Sequence, residues 1–402
     1  MKVSFKRATQ AVIAIGVVVG LAACGSSSKS TGSTTTTGGS NVSLTAASFT
    51  SDFSAMAQLK SLASQGKGLI GVLLPDTTTS ARYETFDRPY LIKAFQAAGL
   101  PAAQFKVDNA QGSASTMQTQ AEADITQGAS VLLIDALDSG SGAAIEANAT
   151  SKGVKVIDYD RLVKGGAADR IYVSFNNVTV GKFMGQGLVD CVKAWNVAKP
   201  NVLVMDGDPT DNNATLFAEG YNGVLKPLFD NGSYVKVGEP AGTWTPAVTA
   251  TNFDQQFTAH PNINAVITPN DDNANAVIAD LQKANIPAKK FPTTGQDASL
   301  VGLQNILKGY QCGSVYKAVY QEAQAAAAVA IYLRAGQTPP AAMLNGSTQD
   351  TTSNTAVKSV YLTPVWVTTA NMASTVVKDA AVKVPALCIT AIASACSAAG
   401  IS

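Results

Sequence analysis

Short runs rich in β-branched residues alternate with amphipathic stretches from Leu69 to Tyr316. Strand-like runs fall at 69–74, 104–107, 130–134, 155–159, 171–174, 201–206, 234–238, 265–268 and 312–316, with a late one at 359–363. Helix-like segments separate most of them, at 88–98, 115–127, 142–152, 178–194, 214–229, 249–258, 273–284 and 300–307, and a long Ala-rich helix is predicted at 319–334. Runs such as Val131-Leu132-Leu133-Ile134 are apolar without alternation, the pattern of strands covered by helices on both faces of a parallel sheet. Repeated strand–helix units predict the α/β class with doubly wound sheets. Two sheets fit better than one closed barrel, although eight strands can be counted. Run 171–174 follows 155–159 with no helix between, and 359–363 arrives late, after a polar, Pro-containing stretch at 336–354.

The first 40 residues break this pattern. Lys2, Lys6 and Arg7 precede an almost uncharged apolar run, Ala8 to Ala23, too short and too closely followed by small residues for a membrane-spanning helix. Leu21-Ala22-Ala23-Cys24 resembles the lipobox of bacterial lipoproteins, in which the cysteine sulfur is lipidated and the preceding residues are removed. The alternative is an ordinary secretory signal that happens to contain a cysteine. The Ser/Thr/Gly tract at 25–40 cannot pack a core and reads as a flexible tether. We therefore expect a signal peptide at 1–23, lipidation at Cys24 and a tether with lead-in at 24–66. The protein would be extracytoplasmic and lipid-anchored to the bacterial cell membrane, in the periplasm or at the cell surface.

Composition narrows the chemistry. A net charge of +1 leaves no basic surface for nucleic acid or anionic lipid. The chain's single histidine, His260, precedes Pro261 in a loop-like segment, so metal sites and histidine dyads are poorly supplied. We expect no metal, no cofactor and no nucleic-acid partner. Gly66 to Gly71 matches a dinucleotide fingerprint in spelling but precedes a strand instead of following one. Asp206-Gly207-Asp208 starts like a calcium loop but lacks its central glycine and closing glutamate. Setting Cys24 aside, four cysteines remain, and Cys388 and Cys396 are close enough to close a small loop.

Ligands of open parallel sheets bind beyond the carboxyl ends of the strands. There this chain places Arg82-Tyr83 and Asp87-Arg88, Asp160-Arg161, Asp208 to Asn213, Trp244, Asn270-Asp271, Gln296-Asp297 and Lys317. Amides, carboxylates and cations of this kind accept from and donate to hydroxyls, and an aromatic face covers the C–H face of a sugar ring. Asp and Asn also cap helices, which alone accounts well for Asn213, Asn270 and Asp271. Capping explains poorly why nearly every strand ends this way.

Tyr159-Asp160-Arg161, Tyr172 to Asn177, Asp208 to Ala214, Pro269-Asn270-Asp271, Gly295 to Ala298 and Val315-Tyr316-Lys317 resemble the xylose-binding members of the type I periplasmic-binding family. These are sugar-capturing subunits of ABC importers. The likeness runs from about Leu69 to the 376–379 region. It implies two Rossmann-like lobes joined by three chain crossings, here 67–174 completed by 318–357, and 175–317 completed by 358–402. The implied ligand contacts are Arg82, Tyr83, Asp160 and Arg161 from the first lobe. From the second come Asp211, Asn213, Trp244, Asn270 and Asp297, with Lys317 at a crossing. Trp244 would stack on the ring. Tyr83 stands where a tryptophan is expected, which leaves another pentose or a hexose open. In the implied arrangement Cys191 and Cys312 both lie at the far end of the second lobe, where a disulfide is reasonable.

The expected function is capture of a monosaccharide, xylose or a related aldose, by a monomeric, non-enzymatic binding protein that serves an ABC transporter permease. A lipoprotein that presents sugar to a sensor, and a sugar-processing enzyme on the same frame, are the alternatives.

Overall fold

The computed structural model describes residues 44–77, 80 and 82–401. The expected signal peptide, Cys24 and the Ser/Thr/Gly tract lie outside the described residues.

Two helical turns, Ser54–Leu59 and α1 (Lys60–Gln65), lead into the first sheet. Strand β1 (Leu69–Leu74) is followed by a wide turn at Tyr83–Asp87 that runs on into α2 (Arg88–Ala97). Then come β2 (Phe105–Asn109), α3 (Ala114–Thr126), β3 (Ala129–Ile134), α4 (Ser139–Ser151), β4 (Lys155–Tyr159) and β5 (Ile171–Phe175). The chain crosses at Asn176 into a second α/β layer. It comprises α5 (Asn177–Ala194), β6 (Asn201–Val204), α6 (Asn212–Asp230), β7 (Val235–Gly238), α7 (Pro246–Ala259), β8 (Ala265–Ile267), α8 (Asp271–Lys283), α9 (Leu300–Lys308) and β9 (Ser314–Tyr316). At Lys317 it returns as α10 (Val319–Arg334), β10 (Gly346–Asp350) and β11 (Thr355–Leu362). It crosses a third time into β12 (Val365–Val367) and ends in short helices that include α11 (Val384–Leu387) and α12 (Ala393–Ala398).

The first sheet is seven-stranded, in the order β10-β11-β5-β4-β3-β1-β2, and is parallel except for β10. Its faces are covered as the uninterrupted apolar strands require: Met117, Ala121 and Ile145 pack on one side, Leu91, Phe95 and the Ala-rich α10 on the other. In the second lobe β7-β6-β8 continues through bridges at Thr293 and Gln296 to β9 and the antiparallel β12. Helices α5 and α6 cross at backbone contact. A Cβ on Gly181 would meet the Phe217 carbonyl, and one on Gly220 the Val178 carbonyl, so only glycine fits at either place.

Three expectations need correcting. The lead-in drawn to residue 66 ends too late: from 44 onward the chain belongs to the first lobe, whose core buries Leu44, Phe49, Phe53, Met56 and Leu59. The boundary drawn at 357 is too early, since β11 stays in register with β5 through Leu362. The polar stretch at 336–354 carries β10, an edge strand that alternates exposed residues with buried Thr348 and Asp350. The final segment packs against α9, and Gln304 Nε2 donates to the Ala386 carbonyl at 2.9 Å. Among the described residues no helix is long and apolar enough to cross a membrane.

Cys191 and Cys312 form a disulfide across 121 residues, and Cys388 and Cys396 form one across 8. The first ties the end of α5 to the approach to β9, within the second lobe. Closing so long a loop restricts the unfolded chain, an effect of roughly 2–4 kcal/mol in typical proteins. Paired Cys191→Ser and Cys312→Ser substitutions should lower the melting temperature by several degrees without changing the circular dichroism spectrum. Calorimetry showing an unaltered melting temperature would assign the bridge no stabilising role.

Candidate functional site

The carboxyl ends of both sheets face one narrow, polar cleft. Every ligand residue proposed from sequence lines it: Arg82, Tyr83, Asp160 and Arg161 from the first lobe, Asp211, Asn213, Trp244, Asn270 and Asp297 from the second, and Lys317 at the crossing. Ser80, Phe217 and Gln296 also line it and were not proposed. Phe217 lies one helical turn beyond Asn213 on α6, and Gln296 adjoins Asp297, so spacing could have found both.

On the first-lobe side, Arg82 is spent on protein groups. It donates to Asp87 at 2.7 and 3.0 Å, to Asp160 at 3.0 Å and to Glu322 on α10 at 2.8 Å. Arg161 donates to the Tyr83 hydroxyl at 2.8 Å and to the Ala136 carbonyl at 3.2 Å. Its Nε hangs between Asp135, 3.4 Å away, and Asp211 of the other lobe, 3.2 Å away. Asp160 takes a left-handed backbone, φ 59°, and Asp297 does so at φ 87°. Non-glycine residues held in that region are sparse and cluster at functional sites.

On the second-lobe side, Asp211 caps α6 and Asn270 caps α8, so of Asn213, Asn270 and Asp271 the capping reading is right only for Asn270, and both caps also face the cleft. Asn213 does not cap. It lies inside α6, accepts from Asn177 at 2.8 Å and donates across to the Asp160 carbonyl at 3.0 Å. Asp271 turns away from the cleft. It is buried and accepts from Ser314, Gln311 and the Ser299 backbone, which fixes the loop that carries Asp297. Trp244 is half-buried. Its Nε1 donates to Asp211 at 3.1 Å, its ring meets Phe217 edge-on at 6.4 Å, and Gly207 leaves room for the indole. Lys317 Nζ sits 3.5 Å from both Asp160 and Asp297, joining carboxylates of the two lobes.

These pairings set the electrostatics. Burial pushes the Asp160 carboxyl up, but Arg82, Lys317 and Arg161 outweigh it and hold the group at about 2. Burial lifts Glu322 to about 8 despite Arg82. Burial also raises Asp135 and Asp211 against the opposing pull of Arg161. Three cations, Arg82, Arg161 and Lys317, thus face carboxylates of Asp87, Asp135, Asp160, Asp211, Asp297 and Glu322. Because its three cations are already engaged by carboxyl groups, the cleft leaves none of them free for an anionic ligand. Meanwhile Gln296 Oε1 is buried with no hydrogen-bond donor, and Asp297 Oδ1 has beside it only Lys317 Nζ, 3.5 Å away. Buried acceptors left unsatisfied cost about 1–3 kcal/mol each, which a hydroxyl-bearing ligand would relieve. Among the described residues no cluster of His, Cys, Asp and Glu is arranged to hold a metal.

Two α/β lobes joined by three crossings, with a polar cleft closed between them, define a bilobal binding protein. Residues 70–338 match the periplasmic binding protein domain, and the chain belongs to that family. It is 35% identical over 298 residues to the D-xylose-binding periplasmic protein of Escherichia coli K12, covering 73% of this chain and 85% of that one. It is 31% identical over 323 residues to the multiple sugar-binding periplasmic receptor ChvE of Rhizobium radiobacter, covering 76% and 88%. Among solved structures, an ABC transporter solute-binding protein from Clostridium phytofermentans with bound β-D-glucose superimposes at TM-score 0.69 and 25% identity, over 79% of this chain and 99% of that one. A carbohydrate transporter solute-binding protein from Chloroflexus aurantiacus in complex with D-glucose gives 0.68 and 26%, over 78% and 96%.

Proposed function

We propose that the protein captures an uncharged monosaccharide, xylose or a related aldose, between its lobes and delivers it to an ABC transporter permease. The observation that carries this reading is the convergence of a buried, donor-less acceptor at Gln296 with the Asp297 carboxylate, Arg161 and Trp244 in one small cleft. Relatives named for xylose and for multiple sugars support it. In this reading Trp244 covers a sugar face, and Asp160, Arg161, Asn270 and Asp297 bond to hydroxyls.

The energetics require enclosure. A pentose has about ten non-hydrogen atoms, and micromolar binding takes roughly −8 kcal/mol. That is about −0.8 kcal/mol per atom, below the ceiling of roughly −1.5 for very small ligands but beyond an open groove. Contacts that bridge the lobes, Arg161 to Asp211 and Asn213 to the Asp160 carbonyl, fit closure about the three crossings. The protein acts as a monomer that binds without turnover, outside the cytoplasm. A lipid on Cys24 would hold it near the permease and raise its effective concentration there.

The test is a thermal-shift screen over aldopentoses, aldohexoses and uronic acids, followed by calorimetry and product analysis. One or more neutral aldoses should raise the melting temperature, bind at one site per chain and be recovered unchanged. Tight binding of a uronic acid alone, or conversion of the sugar, would overturn the reading.

A further inference from the structure

Beside the cleft lies a second, roomier groove of about 370 Å³. Ser80, Arg82 and Asp297 line both spaces, so the two meet. The walls of the larger one come from three places. Thr85 and Phe86 belong to the turn before α2, Leu300 and Val301 to the start of α9, and Ala381 to Ala386 to the final segment. Since both lobes contribute, this groove is complete only when they are together. A monosaccharide seated in the cleft leaves it empty.

Its chemistry is amphipathic. Phe86 stacks on Tyr90 at 6.1 Å, and Tyr90 in turn meets Tyr320 edge-on, which fixes the Phe86 ring. Leu300 and Val301 are 40% and 48% exposed along the lip, and Asp272, Asp297 and Lys383 supply charged ends. An aromatic platform with aliphatic walls and a few polar groups matches the C–H faces and hydroxyl edges of a pyranose.

We propose that this groove is a subsite for the second ring of a disaccharide whose first ring occupies the cleft. The inference rests on the sugar-binding reading above and extends it from monosaccharides to their short β-linked oligomers. Phe86 supports the second ring, and the final segment, anchored to α9 through Gln304, forms the outer wall.

Calorimetry on the full chain tests this with D-xylose, methyl β-D-xyloside, 1,4-β-xylobiose, D-glucose and cellobiose. Of the two matched disaccharides, the one built from the preferred monosaccharide should bind at least as tightly as that monosaccharide. Phe86→Ala should weaken the disaccharide about tenfold and the monosaccharide less than twofold. Val301→Trp, at an exposed position that tolerates change, should produce the same split by narrowing the groove. Monosaccharide binding without disaccharide binding overturns the subsite and leaves the sugar-binding reading intact. Binding of the methyl glycoside but not the disaccharide does the same. Equal losses for both ligands in both variants also overturn it. If no sugar binds, the underlying reading falls and takes the subsite with it.

Discussion

Trp244→Ala is expected to weaken monosaccharide binding by about a hundredfold, in line with the loss of a buried aromatic anchor. Two losses combine. The indole is the cleft's large apolar surface beyond Phe217 and Tyr83, and an aromatic face over a ring contributes beyond the area it removes from water. Its Nε1 is also a donor to Asp211, whose carboxylate is already raised by burial. Without that donor Asp211 depends on its cap to Asn213 and on Arg161, which would then be drawn from the sugar. Gly207 behind the indole means the alanine leaves a hole that no neighbour fills. Trp244→Phe should recover part of the affinity, since it restores a ring without the donor. An unchanged Kd for Trp244→Ala by calorimetry would remove Trp244 from the site.

Asp160→Ala should have the larger effect on the fold. Its carboxylate faces Arg82 at 3.0 Å and Lys317 at 3.5 Å, all of them almost wholly buried. Removing one partner of a buried charge pair costs roughly 3–5 kcal/mol, because the remaining charge cannot reach water. Alanine also tolerates the left-handed backbone at this position poorly, whereas asparagine adopts it readily. Asp160→Asn removes the same charge, but it keeps a polar side chain beside Arg82 and Lys317 and suits the left-handed backbone, so it should fold with a smaller loss of stability than alanine. It should keep the backbone carbonyl that accepts from Tyr172, Ser174 and Asn213, and lose sugar affinity by at least a hundredfold. Asp160→Ala should lose affinity and also melt well below the parent. If the asparagine variant binds sugar with the parent's affinity, the carboxylate takes no part in binding.

Much of this was legible along the chain because it is encoded locally. Short apolar, β-branched runs placed β1 and β4 at their observed bounds and β3 and β5 to within a residue, and the Ala-rich run placed the long α10 likewise. Polar residues at strand ends pointed to the cleft because a parallel sheet sends all those ends to one side. Other features had no local signal. Strand β10 reads as a loop until β11 supplies its partner and the sheet buries alternate side chains. The turn at Tyr83–Asp87 is a widened helical turn with no distinct composition. Phe49, Met56 and Leu59 fell in the lead-in to the first lobe because no strand or long helical pattern there marks where packing begins.

The sequence alone determined the class of fold and the residues that could meet a sugar, since both follow from side-chain chemistry and short-range periodicity. Only the tertiary structure decided how those residues share their bonds. Arg82, read as a ligand contact, is consumed by Asp87, Asp160 and a glutamate 240 positions away on α10. Gln296 keeps an acceptor unfilled at the same place. Burial removes water as a partner, so each buried polar group must find one among whatever groups the fold brings near. That pairing depends on distance in space, and spacing along the chain does not carry it.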